Sequence, residues 1–174
     1  MDYETKATNR HDLRLYAKLF RSICGYKQDE PIDPIELLDR LPEIEGFENV
    51  RYEIVYNNEL PGNVPARCIP TEEGFLIQIK ETVYKGAYEK KTGGYRMHIM
   101  HEIMHPYADT LGFKPVFSRQ VTDDTPIYCR LEWIVKALAG EVMMPYKATK
   151  DMSAKEIIEK YGVSKTAANK RLKY

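Results

Sequence analysis

YRMHIMHEIMHPYAD, which runs from Tyr95 to Asp109, contains the pattern H-E-x-x-H, formed by His101, Glu102 and His105. Four residues advance an α-helix by roughly 400°, so the two histidines lie about one turn apart on one helix face. Two imidazoles in this arrangement can bind one metal ion, and Zn²⁺ is the expected ion. Glu102 is rotated by roughly 100° from His101, which keeps it beside the metal as a general base for water. The alternative is a solvated helix end that happens to carry two histidines.

The composition describes a globular protein. The 174 residues fit one domain, with 43% hydrophobic and 30% charged residues, which is unlike a disordered or fibrous chain. Acidic and basic residues balance at 26 each, so net charge gives no argument for nucleic acid or membrane. MDYETKATNR, at the start of the chain, has no apolar signal region, and no apolar run approaches membrane-spanning length. We expect a cytoplasmic protein without a membrane partner.

The three cysteines show no C-x-x-C pairing and are widely spaced. They indicate neither a disulfide framework nor a cysteine zinc site. We therefore expect Cys24, Cys68 and Cys129 to be reduced, buried thiols.

Helical periodicity marks the first part of the chain. Apolar residues recur at helical spacing from His11 to Tyr26, which predicts an amphipathic helix. Asp33, followed by Pro34 and by an acid three residues after the cap, begins a short second helix that ends near Pro42.

The middle of the chain changes to the alternation typical of strands. Apolar and polar residues alternate from Tyr52 to Tyr56 and again from Phe75 to Ile79. We predict a small antiparallel sheet of two or three strands directly before the H-E-x-x-H helix. The segment from Tyr84 to Gly94 contains three glycines and several charges, and this composition favours a loop.

Downstream of the motif, an irregular stretch from Asp109 to Pro126 precedes a strongly apolar helix. This helix is predicted from about Ile127 to Met144 and is closed by Pro145.

Residues 150–174 differ in charge from the rest, with seven Lys or Arg against three acids. Ser153 and Glu156 form a capping box for one short helix, Gly162 makes a turn, and Ser164 can cap a second helix. We divide the chain into residues 1–149 and a helix-turn-helix-like element of residues 150–174, which we expect to pack on the same domain. Direct DNA binding by this element is the alternative, and it is not favoured because the lysines do not form one stripe.

Two segments resemble the ImmA/IrrE metallopeptidases. They are GGYRMHIMHEIMH, which begins at Gly93, and LEWIVKALAGEVMMP, from Leu131 to Pro145. IQIKETVYKGA, from Ile77, is similar to the family's strand and loop before the motif helix, and YGVSKTAANKRLK, from Tyr161, is similar to its C-terminal element. The resemblance implies a zincin-like α+β fold in which the H-E-x-x-H helix is central.

A catalytic zinc needs a third protein ligand, for which the downstream helix offers Glu132 and Glu141. The two glutamates are nine residues apart, so they point to opposite sides of the helix and only one can face the metal. Burial does not choose between them, because both have apolar neighbours. The resemblance implies Glu132, while a surface ion pair between Glu132 and Lys136 is the alternative role.

The chain departs from the family pattern at three places. Lys136 replaces a small or amide residue, and Met104 stands where glycine is common. Pro106 directly follows the second histidine, and it is predicted to kink or end the helix by removing one backbone donor.

Other side chains near the motif have two interpretations each. His98 shares the face of His105 but is more often a surface or supporting residue than a ligand. Asp109 is either a partner that orients the His105 imidazole or an ordinary surface acid. Three of the 13 tyrosines are candidates to donate to an oxyanion, and the sequence does not choose among them: Tyr95, Tyr107 and Tyr128.

The pattern and the resemblance together predict a zinc endopeptidase. His101, His105 and Glu132 would bind Zn²⁺, and Glu102 would activate water. The resemblance implies that the substrate is a helix-turn-helix repressor of a mobile element or stress regulon. The alternative is a non-catalytic regulator that binds DNA or a repressor and has a structural or vestigial metal site.

Overall fold

A computed structural model describes residues 2–116 and 119–174. These residues form an α+β fold with eight α-helices and one three-stranded sheet. The helices are α1 (Arg10–Ile23), α2 (Pro34–Arg40), α3 (Glu81–Tyr88), α4 (Gly93–Thr110), α5 (Leu131–Met143), α6 (Tyr146–Thr149), α7 (Ala154–Tyr161) and α8 (Lys165–Arg171). The strands are β1 (Val50–Val55), β2 (Ala66–Pro70) and β3 (Phe75–Lys80). None of the helices in these two ranges is both long enough and apolar enough to cross a membrane.

The sheet is mixed, so the prediction of an antiparallel sheet is wrong. The strand order is β1-β3-β2, and β3 pairs parallel with β1 and antiparallel with β2. Alternating apolar residues indicate a strand but carry no information on its direction. β2 does not pair with β1, because β3 lies between the two strands. Ile77 and Ile79 of β3 are fully buried.

The segment predicted as a loop between Tyr84 and Gly94 contains most of helix α3. Two of its three glycines serve close packing. A Cβ atom at Gly86 would lie 2.5 Å from the Tyr95 ring, and one at Gly93 would lie 2.3 Å from the backbone of Val163. Glycine is required at both places because another part of the chain passes too close for a side chain.

Helix α4 is the centre of the fold and runs through Pro106 to Thr110, so of the two outcomes predicted at the proline, a kink or an end, the end does not occur. Proline removes one backbone donor, but the helix is held by the surfaces packed around it. It contacts β2, β3, α2, α3, α5 and α8. Six of its side chains are at most 2% exposed: Ile99, Met100, Ile103, Met104, Tyr107 and Ala108. Burial of each large side chain in this group contributes about 1.5–3 kcal/mol.

The helix predicted from about Ile127 begins later, at Leu131, after one short 3-10 turn at Ile127–Cys129. The irregular stretch predicted before it includes residues 117 and 118, which lie outside the described residues. Of the cysteines, Cys24 is buried and the other two are partly buried, and all three are free thiols.

Residues 2–8 form a strap that crosses the chain just before α5. The backbone N–H of Leu131 donates to Tyr3, and the N–H of Thr5 donates to Cys129. On its other side, the strap pairs with the chain at Val116 and Arg119 through Glu4. The strap therefore fixes the beginning of α5.

Helix α8 packs against α7 and α4. The Ser153–Glu156 capping box begins α7, and Gly162, with φ of +61°, ends it in the left-handed conformation. Tyr161 and Ala168 are buried, and Arg171 Nη1 lies 2.7 Å from Glu141 Oε1 in α5.

Candidate metal centre

The two motif histidines face the same groove. His101 and His105 lie one turn apart on α4, and their ring centroids are 5.0 Å apart with the rings nearly perpendicular. Each side chain is 19% exposed, so both rings can be reached from solvent. This arrangement follows directly from the four-residue spacing.

Glu132, in the first turn of α5, completes the cluster. Its Oε2 atom lies 3.1 Å from His101 Nε2, and its Oε1 atom lies 3.6 Å from His105 Nε2. One ligand atom from each of the three side chains lies within 4.8 Å of the others. Zn²⁺ binds imidazole nitrogen and carboxylate oxygen at about 2.0–2.2 Å, so one ion can reach all three after small side-chain movements. The donor set therefore fits zinc.

The protonation states of His105 and Glu132 favour binding of a cation. Burial lowers the pKa of His105 to about 4, with a contribution from neighbouring His101, so this imidazole is neutral at pH 7 and free to bind metal. Burial alone would raise the pKa of Glu132, but the hydrogen bond to His101 and the attraction of the two imidazoles in their protonated forms outweigh it. The net result is a lowered pKa and an ionised carboxylate.

Glu102 lies beside the cluster and is more buried than the three clustered side chains. It is 7% exposed, and its Oε2 atom is 3.9 Å from His105 Nε2. Burial raises the pKa of Glu102 to about 7, and the charge of Glu132 acts in the same direction. A carboxylate with a pKa near neutrality can both accept and return a proton.

The cluster lies between two cavities of about 550 and 500 Å³. Both are lined by Ala66 of β2 and by His101, Glu102 and Glu132, so the cavities meet at the cluster. β2 is an edge strand of the sheet and forms one wall. The two cavities thus form one groove that passes the histidines.

Glu141 lies away from this site. Its carboxylate is 2.7 Å from Arg171, 3.4 Å from Arg14 and 3.9 Å from Arg10. The alternative role of Glu132, an ion pair with Lys136, is not seen among the described residues. Glu132 faces the two histidines instead.

The other residues considered from the sequence lie outside the cluster. His98 lines one cavity but is not among the three clustered side chains. Asp109 lies 3.6 Å from Lys114, which indicates a surface pair. Tyr107 donates to the backbone oxygen of Tyr16 at 2.7 Å and is buried. Two further tyrosines are exposed and line neither cavity: Tyr95 and Tyr128.

Sequence reasoning missed Asp2. Helix α5 has no capping side chain of its own, and the Asp2 carboxylate supplies one by accepting from the backbone of Glu132. Asp2 also lines the cavity beside the histidines. No local sequence signal indicates this role, because the two residues are 130 positions apart.

No protein-family model matches the chain, and no curated protein matches it. Among solved structures, a Mycobacterium tuberculosis transcriptional regulator is similar, with a TM-score of 0.57 and 15% sequence identity. The similarity covers 92% of this chain and 46% of that one, so this chain spans less than half of the regulator's length. At this identity, the likeness concerns the fold alone.

Proposed function

We propose that the protein is a zinc-dependent endopeptidase of zincin-like architecture. The observation that carries the proposal is the convergence of His101, His105 and Glu132 beside buried Glu102, inside a groove. His and carboxylate ligands with an open position are typical of catalytic zinc. When bound, Zn²⁺ supplies a Lewis acid that polarises a peptide carbonyl and lowers the pKa of water.

Glu102 performs the proton transfers in this proposal. Its carboxylate accepts a proton from the attacking water and passes it to the departing amine. Its burial supports this role, because a carboxylate with a pKa of about 7 holds and releases a proton near neutral pH.

The groove supports an extended peptide as substrate. β2 is an edge strand of the sheet, and its residues Ala66, Arg67 and Cys68 line the groove. An extended substrate can add to such an edge through backbone hydrogen bonds, which places its peptide bonds in front of the histidines. From the resemblance to ImmA/IrrE proteins, we take the substrate to be a helix-turn-helix repressor in the cytoplasm.

The test uses zinc-loaded protein and purified helix-turn-helix repressors encoded by neighbouring genes. We expect cleavage at one bond, detected by mass spectrometry and abolished by a chelator. Glu102→Gln should keep its zinc and lose cleavage, while Glu89→Gln, which changes an exposed glutamate, should cleave like the wild type. Cleavage by the Glu102 variant would show that another residue activates water, and intact repressors with the wild type would contradict the peptidase proposal.

A DNA-binding regulator is the second candidate, favoured by the basic residues 150–174 and by the likeness in fold to a transcriptional regulator. The contacts of α8 weigh against it, since Arg171 is buried against Glu141. Sequence-specific DNA binding that weakens steeply with salt, and is lost when residues 150–174 are deleted, would favour this second function.

A further inference from the structure

A third cavity, of about 320 Å³, adjoins the groove on the side of α8. It lies among α4, α5 and α8. Five residues line both this cavity, which we call the side chamber, and the groove at the histidines: Met97, His98, Trp133, Lys136 and Lys170. The side chamber is therefore continuous with the candidate metal centre, but none of the three clustered ligands lines it.

The walls of the side chamber are mainly apolar. Met97, Trp133, Ala137 and Ala167 are partly buried and Met144 is buried, and all five line the space. An apolar group placed against these side chains would be removed from water, which is favourable by about 25 cal/mol per Å² of buried apolar surface.

Positive charge exceeds negative charge around the side chamber. Among the described residues that line it, Glu141 is the single acidic side chain, and three arginines share its carboxylate. The Nη2 atom of Arg171 is buried without a hydrogen-bond partner in the described structure. Lys136 and Lys170, where the side chamber meets the groove, form no ion pair with any described residue. The pKa of Lys170 is lowered by burial and by the charges of Lys136 and Arg10, as expected of cations without a counterion.

From this combination we infer that the side chamber is a binding site for a small amphipathic acid, which goes beyond the proposed peptidase function. The apolar part of the ligand packs against Trp133 and Met144, and its acidic group binds Lys136 and Lys170. A carboxylate at this position relieves the repulsion between the two ammonium groups.

Trp133 provides a direct readout, because it is the only tryptophan of the chain and lines the side chamber. The experiment titrates full-length, metal-free protein with decanoate and follows the fluorescence of Trp133. Removal of metal ensures that the carboxylate does not bind zinc. Decan-1-ol and decyltrimethylammonium are the neutral and cationic probes with the same alkyl chain. We expect saturable binding of decanoate, at least about tenfold tighter than either other probe, as charge-assisted hydrogen bonds provide.

Three variants test the location. Lys136→Gln combined with Lys170→Gln should weaken decanoate binding about tenfold or more. Lys147→Gln combined with Lys165→Gln removes the same charge from exposed positions outside the side chamber and should leave binding unchanged. Gly140→Leu should block binding while the protein stays folded. Gly140 lines the side chamber in α5, and a Cβ atom there meets no atom within 4 Å.

Absence of saturable decanoate binding would overturn the inference. Equal binding of the alcohol would overturn the role of the lysines, and unchanged binding by Gly140→Leu would place the ligand elsewhere. Because the readout uses neither metal nor cleavage, its outcome is independent of the proposed peptidase function.

Discussion

The Asp2 carboxylate oxygen Oδ1 lies 2.9 Å from the backbone nitrogen of Glu132, so two residues 130 positions apart in the sequence meet at the candidate metal centre. This contact holds the first turn of α5 at the position from which the Glu132 side chain reaches both histidines. Asp2 is thus a positioning residue.

Asp2→Ala should lower zinc affinity about tenfold or more, the range seen when supporting groups around a metal are removed. Asp2→Asn keeps an oxygen acceptor and should retain most of the affinity. The measurement is competition for zinc with a chromophoric chelator. Equal affinities for the alanine variant and the wild type would show that α5 is fixed by its other contacts alone.

Replacement of the two α5 glutamates should have opposite effects. Glu132→Gln should lower zinc affinity at least tenfold and change stability little, since it removes a ligand that is 40% exposed. Glu141→Gln should keep zinc affinity but lower the free energy of unfolding by about 3 kcal/mol, because three arginines lose their shared carboxylate. Zinc competition and urea unfolding of the same samples separate the two effects. Loss of zinc in the Glu141 variant would disprove the assignment of Glu132.

Glu102 makes the stability of metal-free protein dependent on pH. Burial raises its pKa from 4.5 to about 7, so the folded state binds more protons than the unfolded state between these values. The Glu102 contribution to stability is therefore lost as pH rises through this window, by about 3 kcal/mol in total. Glu102→Gln should remove the loss, so the variant gains stability over the wild type from pH 5 to pH 8. Parallel pH dependences for the two proteins in urea unfolding would contradict this assignment.

Adjacent glycines at the start of α4 offer a matched pair. Gly93→Ala should lower the free energy of unfolding by about 1–3 kcal/mol, because its Cβ atom would lie 2.3 Å from the backbone of Val163. Gly94→Ala meets no atom within 4 Å and should be neutral or stabilise the helix by up to about 1 kcal/mol. Thermal unfolding measures both. Equal effects would show that the loop at Val163 moves away without cost.

The sequence was most informative where spacing determines geometry. The separation of four positions from His101 to His105 predicts two rings on one face, and the separation of nine positions from Glu132 to Glu141 predicts opposite directions, as the structure describes. A helix repeat is a local property, so it can be read from a single segment.

Properties that depend on distant partners could not be predicted. Strand alternation did not give the direction of β1 relative to β3. Gly86 and Gly93 resembled loop residues because the side chain and backbone that pack on them come from other segments. Pro106 did not end α4, since packing against the surrounding elements outweighs one missing backbone donor. Asp2 was missed for the same reason.

The position of Glu132 also has a consequence for synthesis of the protein. A nascent chain that has reached residue 130 already contains His101, Glu102 and His105, but it lacks the third side chain of the cluster. The strap at residues 2–8 is synthesised earlier than α5. It cannot form its hydrogen bonds to the start of α5 until Leu131 and the residues after it leave the ribosome. The complete cluster is therefore available only to chains that have passed this point, when most of the fold can form.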